Sequence, residues 1–171
     1  GQGLVKFTFV SNAGCASNES SPVIVYAKPS IVISGASELC IGETTQLSPT
    51  TGGVWTSSDD AIATISNTGL VTAMSDGMAR FTFTDAGTGC SSEESSMITI
   101  INQPDISING SDEICVGGTT NLTPTAGGVW TSSNPAVATI ANNGEVTGVS
   151  AGSATFIFTE LTTGCASQVS S

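Results

Sequence analysis

Apolar and polar residues alternate in short stretches along this chain, and turn residues separate the stretches. Phe81-Thr82-Phe83-Thr84 alternates strictly, which puts both phenylalanines on one face of an extended segment. Residues 44–47 alternate up to Pro49, and Gly52-Gly53 then turns the chain. Residues 54–57 carry Trp55, and residues 61–65 set Ile62 apart from Ala63 and Ile65. Asn67-Thr68-Gly69 is a turn, and Asn142-Asn143-Gly144 matches it. Residues 31–33, 70–74, 79–84 and 97–101 complete a set of short strands. No stretch of ten residues sustains a 3.6-residue apolar period. The pattern predicts an all-β protein built as an antiparallel sandwich.

The pattern also repeats. Cys15, Cys90 and Cys165 are 75 residues apart, as are Cys40 and Cys115, and Trp55 and Trp130. Gly52-Gly53-Val54-Trp55-Thr56-Ser57-Ser58 recurs unchanged from Gly127 to Ser133. A long fixed period marks tandem units. One complete unit spans 30–104. A second spans 105–171 and lacks its last strand, and 1–29 matches only the end of a unit, residues 78–104. The chain reads as a window on a longer array. Units of this size bury only about 60% of their unfolded surface, so they gain from added cross-links.

Charge narrows the partners. The net charge is −11, and only Lys6, Lys28 and Arg80 are basic. Nucleic acid needs cations to displace phosphate counterions, so it is excluded as a partner. An anionic membrane surface is disfavoured, and no apolar run reaches the ~18 residues that span a bilayer. Only 10% of residues are charged, and Ser, Thr, Gly and Asn supply most of the polarity. That composition fits an extracellular surface.

Five cysteines without a histidine point to disulfides in an oxidising compartment rather than to zinc. Each complete unit holds two, which predicts Cys40–Cys90 and Cys115–Cys165 bridges and leaves Cys15 unpaired within this stretch. In a sandwich of the immunoglobulin type, the second half of the first strand runs parallel to the last strand. Cys40 is placed at the start of that half, beside Cys90 ahead of the last strand. A loop of about 50 residues contributes ~4 kcal/mol in the chain-entropy model. Between units, Ala27-Lys28-Pro29-Ser30 and Asn102-Gln103-Pro104-Asp105 are short proline linkers. They predict stiff spacing and a rod.

Trp55-Thr56-Ser57-Ser58-Asp59-Asp60-Ala61-Ile62-Ala63-Thr64-Ile65, followed by Gly69-Leu70-Val71-Thr72, resembles the bacterial immunoglobulin-like domain of group 2. Trp130-Thr131-Ser132-Ser133-Asn134-Pro135-Ala136-Val137-Ala138-Thr139-Ile140, with Gly144-Glu145-Val146-Thr147-Gly148, is more similar still. The resemblance implies tandem immunoglobulin-like sandwiches, as in intimin- and invasin-type adhesins and large surface proteins. The cysteine motifs resemble repeats of very long secreted surface proteins of gliding Bacteroidota. The family carries no catalytic residues, and its pattern does not usually include the cysteines.

Each candidate site has a plain alternative. Trp55 and Trp130 suit a sugar platform, but one tryptophan per unit on an alternating strand suits a core better. Asp59-Asp60, Glu93-Glu94 and Asp112-Glu113 are paired carboxylates of the kind used in acid–base work. Their positions do not repeat: Asp59-Asp60 falls on Asn134-Pro135 and Glu93 on Gln168. No catalytic residue or cofactor is expected. Asp105, Asp112 and Glu113 are the calcium candidates, since oxygen ligands suit that ion, though no dense Asp-x-Asp run supports them. Asn18, Asn109 and Asn121 stand in Asn-x-Ser/Thr sequons.

The expected role is a stalk segment of a bacterial cell-surface adhesin or extracellular fibre, secreted and partnered by neighbouring repeats. The alternatives are a module that binds a surface glycan or receptor, or an accessory domain of a secreted enzyme. Near-identical loops in the two units favour the stalk. A final unit without its last strand also leaves a groove: a continuing chain is expected to fill it in cis, and the alternative is strand addition by residues 23–26 of another copy, a route to a filament.

Overall fold

The computed structural model describes residues 3–170. Among them every regular element is a strand. β1 (Gly3–Val5) and β2 (Val23–Val25) form an antiparallel pair ahead of the first sandwich. Phe7, Phe9, Val23 and Val25 on this segment are exposed.

The first sandwich uses β3 (Val32–Ile33), β4 (Glu38–Cys40), β5 (Thr44–Ser48), β6 (Gly53–Ser57), β7 (Ala63–Ile65), β8 (Leu70–Ala73), β9 (Gly77–Ala79), β10 (Phe81–Asp85) and β11 (Ile98–Ile101). One sheet has the order β3-β5-β8-β7. The facing layer comprises β4-β11-β9 and β10-β6. β9 and β10 occupy the stretch expected as one strand. They part at Arg80, whose N–H leaves the ladder for the Ser58 hydroxyl at 2.9 Å. The stretch 61–65 is extended only over β7, because Asp59 folds the residues before it into a turn. Its carboxylate accepts the Ala61 N–H at 2.9 Å.

Alternation produces the core. Phe81 and Phe83 point inward at 0% and 1% exposure, with Leu47, Val71, Ala63 and Ile98 at 0%. Phe83 lies opposite Trp55 in the β10–β6 register, and their rings stack tilted at 5.2 Å. Trp55 donates its indole N–H to the Pro49 carbonyl at 2.9 Å, so the buried ring leaves no orphan donor. Gly53 is there for space: a Cβ would lie 2.1 Å from the Thr84 oxygen and 2.5 Å from the Phe83 ring.

The second sandwich repeats this plan with β12 (Ser107–Asn109), β13 (Thr119–Thr123), β14 (Gly128–Ser132), β15 (Ala138–Ile140), β16 (Glu145–Gly148) and β17 (Phe156–Glu160). Its sheets are β12-β13-β16-β15 and β14-β17. Trp130 stacks on Phe158 at 5.1 Å and donates to the Pro124 carbonyl at 2.9 Å. No described residue takes the place of β11. Residues 113–115 and 152–154, which correspond to β4 and β9, form no strand either. In the first sandwich β11 supplies the hydrogen bonds of both, parallel to β4 and antiparallel to β9. Without that central partner a three-residue strand has no ladder to join.

Candidate functional site

The sandwiches meet end to end in sequence at linker 102–105, and the cysteines cluster around such ends. Cys40 is the last residue of β4. The register pairs it with Ile101, the last residue of β11, from which the linker departs. A turn follows at once: Gly42 has φ 88°, the Glu43 N–H donates to the Cys40 carbonyl at 3.0 Å, and the Glu43 carboxylate accepts the Cys40 N–H at 2.9 Å. Cys90 lies in the turn after β10, where its carbonyl accepts the Asp85 N–H at 3.0 Å. β9 runs antiparallel to β11, so the chain leaving β10 reaches Cys90 beyond the opposite end of the sandwich. Cys165 has the same setting in the second sandwich, with the Glu160 N–H on its carbonyl at 3.0 Å.

This geometry overturns the expected pairing. Cys40 bonds Cys165, with Cα atoms 5.6 Å apart and 125 residues between them in sequence. Neither the Cys40–Cys90 nor the Cys115–Cys165 bridge forms. Cys40 ends its strand rather than starting it, so Cys40 and Cys90 sit at opposite poles of one sandwich. The bond crosses from the lower pole of the first sandwich to the upper pole of the second. In the chain-entropy model a loop this long contributes about 5 kcal/mol. Cys15, Cys90 and Cys115 are free thiols.

Linker contacts flank the bond. The Gln103 amide donates to the Ile41 carbonyl at 3.1 Å, and the Gln168 amide donates to the Gln103 carbonyl oxygen Oε1. They border a cleft of about 350 Å³ lined by Pro104, Ile106, Gln168 and Val169. The preceding junction uses the same positions: Lys28, 65 residues before Glu93, forms an ion pair with it, as Gln103 stands 65 before Gln168. The Lys28 hydrogen bond, and then its charge, hold the Glu93 carboxyl below the ordinary value. Glu94 pairs with Arg80 at 3.8 Å and Lys6 with Glu19 at 2.8 Å. Thr88 donates from its hydroxyl and its N–H to Asp85, both at 2.8 Å, which lowers that carboxyl and fixes the turn leading to Cys90.

The remaining candidates are not drawn into one site. Trp55 and Trp130 lie in the two cores, 5% and 4% exposed. Asp59 and Asp60 belong to a surface turn. Asp105, Asp112 and Glu113 are exposed, and no group of three or more metal-binding side chains gathers among the described residues. Asn18, Asn109 and Asn121 are exposed; Asn109 on β12 pairs with Asn121 on β13. The place left open by β11 in the second sandwich is a groove of about 790 Å³, walled by Ile114, Cys115, Val146, Ala154 and Phe156.

Sequence reasoning missed the polar arrangement of the cysteines. Ile41-Gly42-Glu43 carried the signal, because a turn glycine two residues after Cys40 marks a strand end.

The family profile described as "Bacterial Ig-like domain (group 2)" matches residues 21–93 and 116–169, and no catalytic family is indicated. No curated protein matches the chain. Among solved structures, the C-terminal 282-residue fragment of intimin, in complex with the intimin-binding domain of the translocated intimin receptor, is similar at 14% identity and a TM-score of 0.45. That overlap covers 85% of this chain and 64% of the fragment. Domains 1–6 of the surface-layer protein SbsC overlap at 14% identity and a TM-score of 0.29, over 98% of this chain and 34% of theirs. SbsC domains 4 and 5 overlap at 14% identity and a TM-score of 0.28, over 98% of this chain and 95% of theirs. Overlaps this weak say nothing of what the present chain binds.

Proposed function

The chain belongs to the bacterial Ig-like domain family of group 2, and on that premise we propose that it is a stalk segment of a bacterial cell-surface adhesin or extracellular fibre. It spaces and holds other parts rather than performing chemistry. The observation that carries this reading is the Cys40–Cys165 bond, which ties one sandwich to the next beside a proline linker. A chain built for display under tension gains most from a covalent link where its units meet. Binding of a glycan by stacking finds less support: both indoles are enclosed and present no face to a sugar ring. Small-angle scattering of the oxidised protein tests the spacer role. A compact globule of this length has a radius of gyration of about 16 Å. A spacer gives a value well above that and a skewed distance distribution; a value near 16 Å rejects it.

A further inference from the structure

The free cysteines hold the same positions as the bonded ones, one unit away. Cys115 matches Cys40 and is held by the same turn, with the Gly118 N–H on its carbonyl at 2.8 Å against 3.0 Å for Glu43 on Cys40. Cys115 is exposed. Cys90 matches Cys165, and the Asp85 and Glu160 N–H groups bond the two carbonyls at the same 3.0 Å. The junction around Cys90 is built like the one around Cys165, since Lys28–Glu93 and Gln103–Gln168 occupy equivalent positions. Each sandwich therefore carries one cysteine at each pole.

We propose that Cys115 and Cys90 are the two halves of a repeating inter-unit staple. Cys115 bonds the second cysteine of a unit of this kind joined after it, and Cys90 bonds the first cysteine of a unit joined before it. Every junction of such an array is then crossed by two covalent links, the backbone and a disulfide. The bond forms by thiol–disulfide exchange with a small or protein disulfide. One cysteine thiolate attacks that oxidant and releases one of its thiols. The second cysteine then displaces the other, so two protein thiols are oxidised and one disulfide is reduced to two thiols. This assignment goes beyond the stalk reading, and its readout is a bond map rather than a shape, so each can fail without the other.

The test extends the intact chain by inserting a second copy of residues 30–104 between Pro104 and Asp105. The copy is made distinguishable by mass with Thr44→Ser and Thr88→Ser, which keep both hydroxyls. After oxidation in a glutathione buffer, non-reducing peptide mapping should join Cys40 to the copy's Cys90, and the copy's Cys40 to Cys165. Cys15, the original Cys90 and Cys115 should be alkylated. Bridges inside single units, Cys40 to Cys90 or Cys115 to Cys165, overturn the proposal. Point variants of the original chain guard against misfolding of the longer one. Cys90→Ala should leave Cys40 protected from alkylation, and Cys165→Ala should expose it fully. The reverse pattern overturns the proposal as well.

Discussion

Pulling the oxidised chain from its two ends should leave most of it untouched. Tension runs along residues 1–40, crosses the Cys40–Cys165 bond and leaves along 165–171, so the residues between the two cysteines are bypassed. Reducing the bond returns them to the load path. The separation is 125 residues, and an extended residue spans ~3.3–3.6 Å, so full unfolding should lengthen by roughly 410–450 Å on reduction. Bridges confined to single units would each hide 50 residues, and the pair together would release only roughly 330–360 Å. Force spectroscopy through terminal handles, with and without reductant, separates the two values. Cys40→Ala should show the long extension without reductant. An extension unchanged by reduction, or a gain near the lower range, refutes the cross-junction path.

Gly53→Ala should destabilise the first sandwich by about 2–4 kcal/mol in denaturant melts, because its Cβ would collide with the Thr84 carbonyl and the Phe83 ring. Gly87→Ala, whose Cβ would meet only the Asp85 carboxylate at 3.5 Å, should stay within about 0.5 kcal/mol. The Glu93 carboxyl is depressed in the folded chain, so its contribution is present above the ordinary value of 4.5 and is lost as pH falls through the lower folded value. NMR titration should place its midpoint below 4.5, and Lys28→Gln or high salt should return it; a midpoint insensitive to both would show that Lys28 is not the cause. Joining residues 97–104 directly after Ser171 should supply the second sandwich with the missing strand. Amides at 113–115 and 152–154 should then gain protection from exchange in a monomer; a polymer, with residues 23–26 seated in a neighbour's groove, would point to strand exchange instead.

Much of the sandwich was legible because its signals are local. Period-two alternation placed Phe81 and Phe83 inward, and Gly52-Gly53 marked the turn before the tryptophan strand. The failures were non-local. Glu38-Leu39-Cys40 is a strand only because β11, sixty residues later in sequence, offers it a parallel ladder. Its counterpart at 113–115 has no such partner and is not a strand, although it carries the same Glu-apolar-Cys pattern. Strand existence there is a property of the pairing and not of the segment, and the only local mark of the end at which Cys40 sits is the turn glycine after it, Gly42. The disulfide expectation inherited that error. A repeat period shows which cysteines are equivalent, but equivalence does not say whether a pair closes within a unit or between units.

The placement of the bond follows from where other forces are weak. Inside the first sandwich, Leu47, Val71, Phe81, Phe83 and Ile98 are sealed from water, and each such side chain contributes about 1.5–3 kcal/mol. A bridge within that unit would reinforce what the core already holds. Among the described residues, the polar side-chain contacts at the junctions are an exposed ion pair between Lys28 and Glu93 and amide hydrogen bonds from Gln103 and Gln168. An exposed ion pair contributes little and weakens with salt. Placing one cysteine at each pole puts the covalent link at the point of least cohesion, where it changes the mechanics of the chain most.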